Sequence, residues 1–276
     1  MKNTKKITLG IFLFAVSMTA SATALPLEDL KTACNGPANS ANSLACIKLS
    51  RTLLKANRVF LALSYAHKGA KSGNPDAMFI AAKIYVTRWK ELGITYQEGL
   101  KYSQALAKES CEKGSGEGCS LYAYNLPADD TKNKVKNWKL GCERKSAVGC
   151  FFLANYQDRI ENLSKACEYS ESDSTLGSNF CLDYAEALEE DQKSTKAQIQ
   201  DAFDKACTLG YRYGCYKAAS LREEQKSSET ELLLQQYGKV CIPVPGLWSQ
   251  KYYNNACKRL REVQKKSEQL KLRMPD

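Results

Sequence analysis

The sequence predicts an all-α protein, a right-handed α-solenoid of about seven helix-turn-helix repeats stapled by disulfides. Its twelve cysteines form six successive pairs, and three of those pairs enclose the same number of residues. Repeat markers, taken as the first cysteine of each pair and Ala70 in a cysteine-free unit, recur every 25 to 41 residues. Good helix formers between the markers carry apolar residues at helical spacing, and strand alternation is absent. Periods of this length are typical of helix-pair solenoids.

The N-terminal segment, residues 1–24, has the features of a secretory signal peptide that is removed from the mature chain. A basic start is followed by an apolar stretch from Ile7 to Ala20 and by the small-x-small pattern Ala22-Thr23-Ala24. A retained membrane helix is the alternative, but it would need about 20 apolar residues. We therefore expect a periplasmic or secreted protein. An oxidising compartment and an even cysteine count favour disulfides over metal ligands.

The charge of the chain is moderately basic. The net charge is +10, and removal of residues 1–24 leaves 37 Lys and Arg against 30 Asp and Glu, a net charge of +7. The charges are interspersed, which is typical of a solvated surface. Nucleic acid is not an expected partner of an exported chain, and an integral membrane protein is not expected either.

The cysteine pairs predict local disulfides, each joining sequence neighbours. Three pairs enclose seven residues, carry glycine just before the second cysteine and alanine four residues after it: Cys111/Cys119, Cys142/Cys150 and Cys207/Cys215. Three further pairs have wider gaps: Cys34/Cys46, Cys167/Cys181 and Cys241/Cys257. We expect all six bridges to act as structural staples, with no thiol left for catalysis.

Helices and turns follow the same repeat. Gly99 to Cys111 and Ala197 to Cys207 lack proline and predict helices. Gly73, Gly114 and Gly210 each lie three residues past a marker, where a helix end favours a left-handed residue. The corresponding positions in two other units hold Lys145 and Ser170, so we expect the cap to vary. The residue before the marker is small in nearly every unit, which would let helices approach closely.

Two motifs resemble a known repeat family. The segment from Ala70 to Ala77 resembles the A-x-x-G-x-x-x-A core of the Sel-one-like repeat, a relative of the tetratricopeptide repeat. Cys111-Glu112-Lys113-Gly114 with Gly118-Cys119 resembles the variant in secreted bacterial cysteine-rich proteins of the Hcp type. The resemblance covers most of residues 27–260 and implies that each cysteine pair joins the end of one helix to the start of the next. The short unit between Cys142 and Cys167 departs from the pattern.

The resemblance and the pattern together divide the mature chain into two parts. We expect a repeat solenoid over residues 25–257 and a basic C-terminal capping helix or tail over residues 258–276. The latter combines lysines and arginines with Leu260, Val263 and Leu270. Such a helix could touch an anionic surface, but covering the last repeat is the favoured interpretation.

Catalytic motifs are few. The Hcp-type resemblance implies β-lactamase or penicillin-binding activity, and Ser110-Cys111-Glu112-Lys113 matches S-x-x-K, while Lys71-Ser72-Gly73 is a loose K-[ST]-G. Both fall in turns of the repeat, and S-D-N is missing. His67 is the only histidine, and a structural role near a helix end is favoured. We therefore expect no catalytic residues, no metal and no cofactor, with a weak hydrolase as the alternative.

Tyrosine gives the positive indication of function. We expect Tyr85, Tyr122 and Tyr124 to line a concave groove and to anchor a protein partner, since Tyr and Trp are usual anchors of interfaces. Filling gaps between helices is the alternative role. The sequence thus predicts an exported scaffold for protein–protein interaction in the bacterial envelope or outside the cell. A peptidoglycan-related ligand and a secreted factor that acts on a host cell stay open as alternatives.

Overall fold

The computed structural model describes residues 27–37, 39–170, 177–225, 229–242 and 250–271. In these residues all regular secondary structure is helical, as the sequence predicts. The predicted signal peptide, residues 1–24, lies outside the described residues, as do the last five residues of the predicted tail.

The described residues form fourteen helices in chain order. They are α1 Leu27–Asn35, α2 Ser40–Lys55, α3 Val59–Lys71, α4 Pro75–Thr87, α5 Tyr96–Glu112, α6 Gly116–Asn125, α7 Thr131–Glu143, α8 Ala147–Leu153, α9 Arg159–Glu168, α10 Gly177–Glu190, α11 Lys196–Thr208, α12 Arg212–Glu224, α13 Thr230–Val240 and α14 Gln250–Lys271. Each helix packs on the next one along the chain, which gives seven successive helix pairs. Position 258, the expected start of the C-terminal helix, lies within α14.

The helices form two layers. Among the described residues, α2, α4, α6, α8 and α10 contact one another in sequence, and α12 contacts α14, whereas the odd-numbered helices contact each other less. Closer spacing within one layer of a curved array places that layer on the inner side of the curve. We name the even-numbered helices the inner layer.

Six disulfides hold the array together, and every cysteine bonds to its sequence neighbour as predicted. The bridges are Cys34–Cys46, Cys111–Cys119, Cys142–Cys150, Cys167–Cys181, Cys207–Cys215 and Cys241–Cys257. Each joins the end of an odd-numbered helix to the early turns of the next helix, with Cα atoms 4.4 to 4.9 Å apart. The α3–α4 pair has no disulfide, and there Gly69 packs closely on Ala77.

Glycine before the second cysteine allows this close approach. A Cβ atom on Gly149 would lie 2.8 Å from the backbone nitrogen of Cys142, and one on Gly214 would lie 2.7 Å from the Ala206 Cβ. Real Cβ atoms do not come that near to their neighbours, so any side chain at these positions would push the two helices apart. The predicted small residues before the markers are likewise buried, as Ser110 and Gly141 show.

The turns between paired helices use the predicted left-handed residue. Gly73, Gly114 and Gly210 have φ of +80°, +103° and +94°, and Lys145 adopts the same region with φ +63°. A capping side chain then starts the next helix in several units. In one of these, Ser146 accepts a hydrogen bond from the Gly149 backbone N–H at 3.2 Å.

Candidate interaction surface

Tyr85 lies on α4 and Tyr122 and Tyr124 lie on α6, so the three predicted anchors belong to the inner layer. Tyr85 and Tyr122 are half-buried, whereas Tyr124 is 58% exposed. The structure therefore places all three on the same layer but gives them unequal access to solvent.

Tyr85 is held by two neighbours. Its hydroxyl lies 3.0 Å from Nε2 of His67, and its ring lies 5.0 Å from the exposed ring of Tyr102. Burial, and to a lesser extent Tyr102, raises the pKa of Tyr85, while burial and the nearby Lys71 lower the pKa of His67. The sequence suggested carbonyl contacts for His67 at the helix end. The imidazole instead positions a tyrosine of the inner layer.

Tyr124 belongs to a larger stack of rings, which we name the central aromatic patch: Tyr124, Trp138, Phe152 and Tyr156. The Trp138 ring stacks with Phe152, at 5.1 Å between ring centroids, and with Tyr156, at 5.6 Å, and the Tyr124 ring lies 5.9 Å from Phe152. Trp138 is buried, whereas Tyr124 and Tyr156 are more than half exposed. Buried Trp138 and half-buried Phe152 thus fix two accessible tyrosines. The sequence did not indicate that these residues converge, and Phe152 was not among the aromatic residues it singled out.

A second group of rings lies near the C-terminal end of the array. Tyr213 and Tyr216 of α12 contact Tyr252 of α14 at 5.1 and 5.4 Å, and Tyr216 also meets Tyr237 of α13. Burial, followed by the interaction with Tyr252, raises the pKa of Tyr213 to about 12. Tyr213 therefore stays protonated at neutral pH, so it offers a hydroxyl group and an apolar face but no charge.

Beside these rings, α12, α13 and α14 enclose a half-open cavity of 560 Å³, which we name the C-terminal cavity. Tyr216 and Tyr237 supply its rings, and Glu223, Lys258 and Arg259 are among its charged groups. The Tyr237 hydroxyl donates to Glu223 at 2.7 Å, and Arg259 Nε lies 3.3 Å from the same carboxylate. Burial and this hydrogen bond raise the pKa of Tyr237. Sequence reasoning did not find this cavity, because it depends on how three helices meet.

Carboxylates line part of α10 next to the second group of rings. Burial raises the pKa of Glu186, and the neighbouring charges of Asp183 and Glu189 raise it further, although Lys217 opposes them. Lys217 donates to Glu189 at 2.7 Å. This stretch of the array is therefore locally acidic in a chain that is basic overall.

Comparisons with known proteins identify the fold. No family model matches the chain, and neither does any curated protein. Among solved structures, the Sel1 repeat protein from Oxalobacter formigenes is similar with a TM-score of 0.52 and 9% identity, over 86% of this chain and all of that one. The chain has the fold of a Sel1 repeat protein.

Two other structures with this description are also similar. One is a putative Sel1 repeat protein from Klebsiella pneumoniae, with a TM-score of 0.43 and 16% identity, over 68% of this chain and 97% of that one. The other is a protective antigen of uropathogenic Escherichia coli that displays the same repeat fold, with a TM-score of 0.41 and 14% identity, over 92% and 68% of the two chains. The finer resemblance to Hcp-type proteins stays a prediction.

In this Sel1 repeat fold, the serine and the lysine of the S-x-x-K motif lie in different environments. Ser110 is fully buried, and its hydroxyl donates to the Pro75 carbonyl at 2.7 Å across the joint between α4 and α5. Lys113 caps α5 on the surface, 3.9 Å from Glu109. A nucleophilic serine needs an open approach and a nearby base. The geometry here provides neither for Ser110.

Neither a metal-binding cluster nor a membrane-spanning helix occurs in the part of the chain that the structure describes. No group of three or more His, Cys, Asp or Glu side chains there could hold a metal ion. The helices there are also too short or too polar to cross a membrane.

Proposed function

We propose that the chain is an exported scaffold that binds a protein partner along its inner layer, with tyrosine side chains as anchors. The observation that carries this proposal is the central aromatic patch, where buried Trp138 and half-buried Phe152 hold the exposed rings of Tyr124 and Tyr156. A ring fixed in advance loses little conformational entropy on binding. Exposed aromatic rings on a rigid base are typical of protein interfaces.

Tyr85, Tyr122 and Tyr124 are the proposed anchors. Tyr85 is held by His67 and Tyr102, and Tyr124 is held by Phe152, so both have a defined position before binding. Tyr122 lies on the same helix as Tyr124 and is half-buried. Truncation of a central anchor to alanine typically costs about 2 kcal/mol or more of binding free energy.

Affinity capture with the full chain tests this proposal. The wild-type protein and the variants Tyr85→Ala, Tyr122→Ala and Tyr124→Ala would be incubated with the envelope fraction of the producing cell, with folding checked by circular dichroism. We expect the retained partner to be lost or strongly reduced with at least one variant. Tyr96→Ala is the matched control, because Tyr96 is an exposed tyrosine at the start of the odd-numbered helix α5.

One outcome would contradict the proposal. If all three variants kept the partner and deletion of residues 258–276 removed it, the basic end of the chain would be the binding element.

Export is part of the same proposal. Six disulfides in one chain are typical of an oxidising compartment, which supports a periplasmic or extracellular location. Fractionation of the producing cell, with N-terminal sequencing of the mature protein, tests it. We expect cleavage after Ala24 and a protein outside the cytoplasm. A full-length protein in the cytoplasmic fraction would contradict it.

A further inference from the structure

The C-terminal cavity has walls from three helices and a fixed base. Tyr237 is 1% exposed, and its hydroxyl is bound to Glu223, which also binds Arg259. Arg259 in turn bonds to Glu262 at 2.8 Å. These contacts tie α12, α13 and α14 together. The base of the cavity is therefore built before any ligand arrives.

Most charges of the cavity are already paired. Glu223 and Arg259 neutralise each other, and Lys217 binds Glu189 at 2.7 and 3.0 Å. These groups can shape the cavity, but a ligand would have to break an ion pair to use them. Their role is therefore structural in the empty protein.

Two opposite charges of the same cavity have no such partner among the described residues. Glu224 on α12 and Lys258 on α14 both line it, and neither forms an ion pair within 4.0 Å with another residue that the structure describes. They also do not pair with each other. A cavity that presents one unpaired anion and one unpaired cation matches a ligand with both charges, because each end then gains a charge-assisted hydrogen bond.

The remaining wall indicates the class of ligand. The ring of Tyr216 and the amide of Asn255 line the same cavity. The ring can pack against apolar atoms, and the amide can both donate to a carbonyl and accept from an N–H group. A cavity of 560 Å³ falls within the range of small-molecule sites, about 300–1,000 Å³. A peptide bond between two charged ends uses all of these groups.

We propose that the C-terminal cavity binds a short peptide with free termini, its ammonium group on Glu224 and its carboxylate on Lys258. Asn255 bonds to the peptide backbone, and Tyr216 packs against the side chains. This site is separate from the inner-layer anchors and does not depend on them.

Isothermal titration calorimetry on the full chain tests this site with dialanine and trialanine as probes. We expect at least one of them to bind, and N-acetylation or C-terminal amidation to weaken its binding about tenfold or more. Glu224→Gln should weaken the free peptide but not the N-acetylated one. Lys258→Met should weaken the free peptide but not the amidated one. A general loss of structure would weaken the free and the blocked peptides alike. It would not make each variant insensitive to the blocking of one particular end.

Three control variants and two contradicting results complete the experiment. Lys265→Met removes a positive charge and Glu268→Gln removes a negative charge at exposed positions of α14 outside the cavity. Both variants should bind the probes as the wild type does. Tyr124→Ala should also bind them normally, so failure of this site and failure of the inner-layer anchors are distinguishable. The proposal is wrong if neither peptide binds at about 5 mM, a concentration that detects even weak millimolar affinity. It is equally wrong if free and blocked peptides bind alike.

Discussion

Single residues set how closely the paired helices approach. Gly149 stands where a Cβ would lie 2.8 Å from the Cys142 backbone nitrogen, in a joint that the adjacent disulfide also fixes. The sequence predicted this glycine as part of the repeat, because the same residue precedes the second cysteine in three units. It could not show which neighbour forbids the side chain, since that depends on how the two helices meet.

Gly149→Ala should lower the free energy of unfolding by about 1–3 kcal/mol, the usual cost of overpacking a tight contact. Thermal and denaturant unfolding measure the change. Gly238→Ala is the control, because a Cβ on Gly238 meets no atom within 4 Å. That residue lies inside α13, where alanine should stabilise by up to about 1 kcal/mol. Equal effects of the two substitutions would show that contact distance is not the cause.

The carboxylates of α10 give a residue-level prediction for pH. Burial and the neighbouring charges of Asp183, Glu189 and Glu190 raise the pKa of Glu186 above its unfolded value. Stability linked to this group is full below the unfolded pKa and falls as pH rises through the folded pKa. We therefore expect Glu186→Gln to raise the melting temperature at about pH 7 and to have little effect at about pH 3.

The exposed control for this prediction is Glu268→Gln on α14. It should leave the melting temperature nearly unchanged at both pH values, because a lone surface charge contributes little. A melting temperature of Glu186→Gln below that of the wild type at neutral pH would mean that the carboxylate is stabilising and that the assigned direction is wrong.

Ser110 and Lys113 carry the prediction for enzymatic activity. Because the Ser110 hydroxyl is bound to the Pro75 carbonyl, we expect the full chain to hydrolyse a chromogenic β-lactam no faster than background. Ser110→Ala should destabilise the fold by about 1 kcal/mol, and Lys113→Ala should be nearly neutral. A spectrophotometric assay and thermal melts provide the two measurements. Clear turnover that disappears in either variant would establish the hydrolase alternative.

For the helices, the predicted boundaries agree best with the observed ones in the units where the repeat is most regular. The predicted helices from Gly99 and Ala197 correspond to α5 and α11, with ends within three residues of the observed ones. The unit that departs from the pattern contains α8, whose seven residues make it the shortest helix described. Repeat spacing predicts helices because each unit packs on the same surroundings. It does not predict a unit whose length has changed.

Each disulfide joins two successive helices and so stabilises the packing of a helix pair. A bridge that closes a short loop contributes roughly 2.5 kcal/mol in the chain-entropy model, and six bridges act on successive pairs. Adding a reductant should therefore lower the melting temperature substantially. An unchanged melting temperature in fully reduced protein, with free thiols counted chemically, would contradict a stapling role.

In the whole molecule, the packing of the helix layers forms surface features that the repeat pattern does not predict. The sequence predicted an array of helix pairs, and the residues that the structure describes form seven of them. It named Tyr85, Tyr122 and Tyr124, and these lie on the inner layer. The convergence of Tyr124 with Trp138 and Tyr156, and the C-terminal cavity, depend on the rotation of each helix about its own axis. Several helices determine that rotation together, so no local pattern encodes it.

The α3–α4 pair, which lacks a disulfide, differs from the other described pairs in how it responds to proteolysis. A protease that cleaves between two bridged cysteines leaves both fragments covalently joined, so a nicked molecule still migrates as one species until it is reduced. Six of the seven pairs have this protection. A cut at Gly73-Asn74 would instead separate the first three helices from the remainder without any reductant.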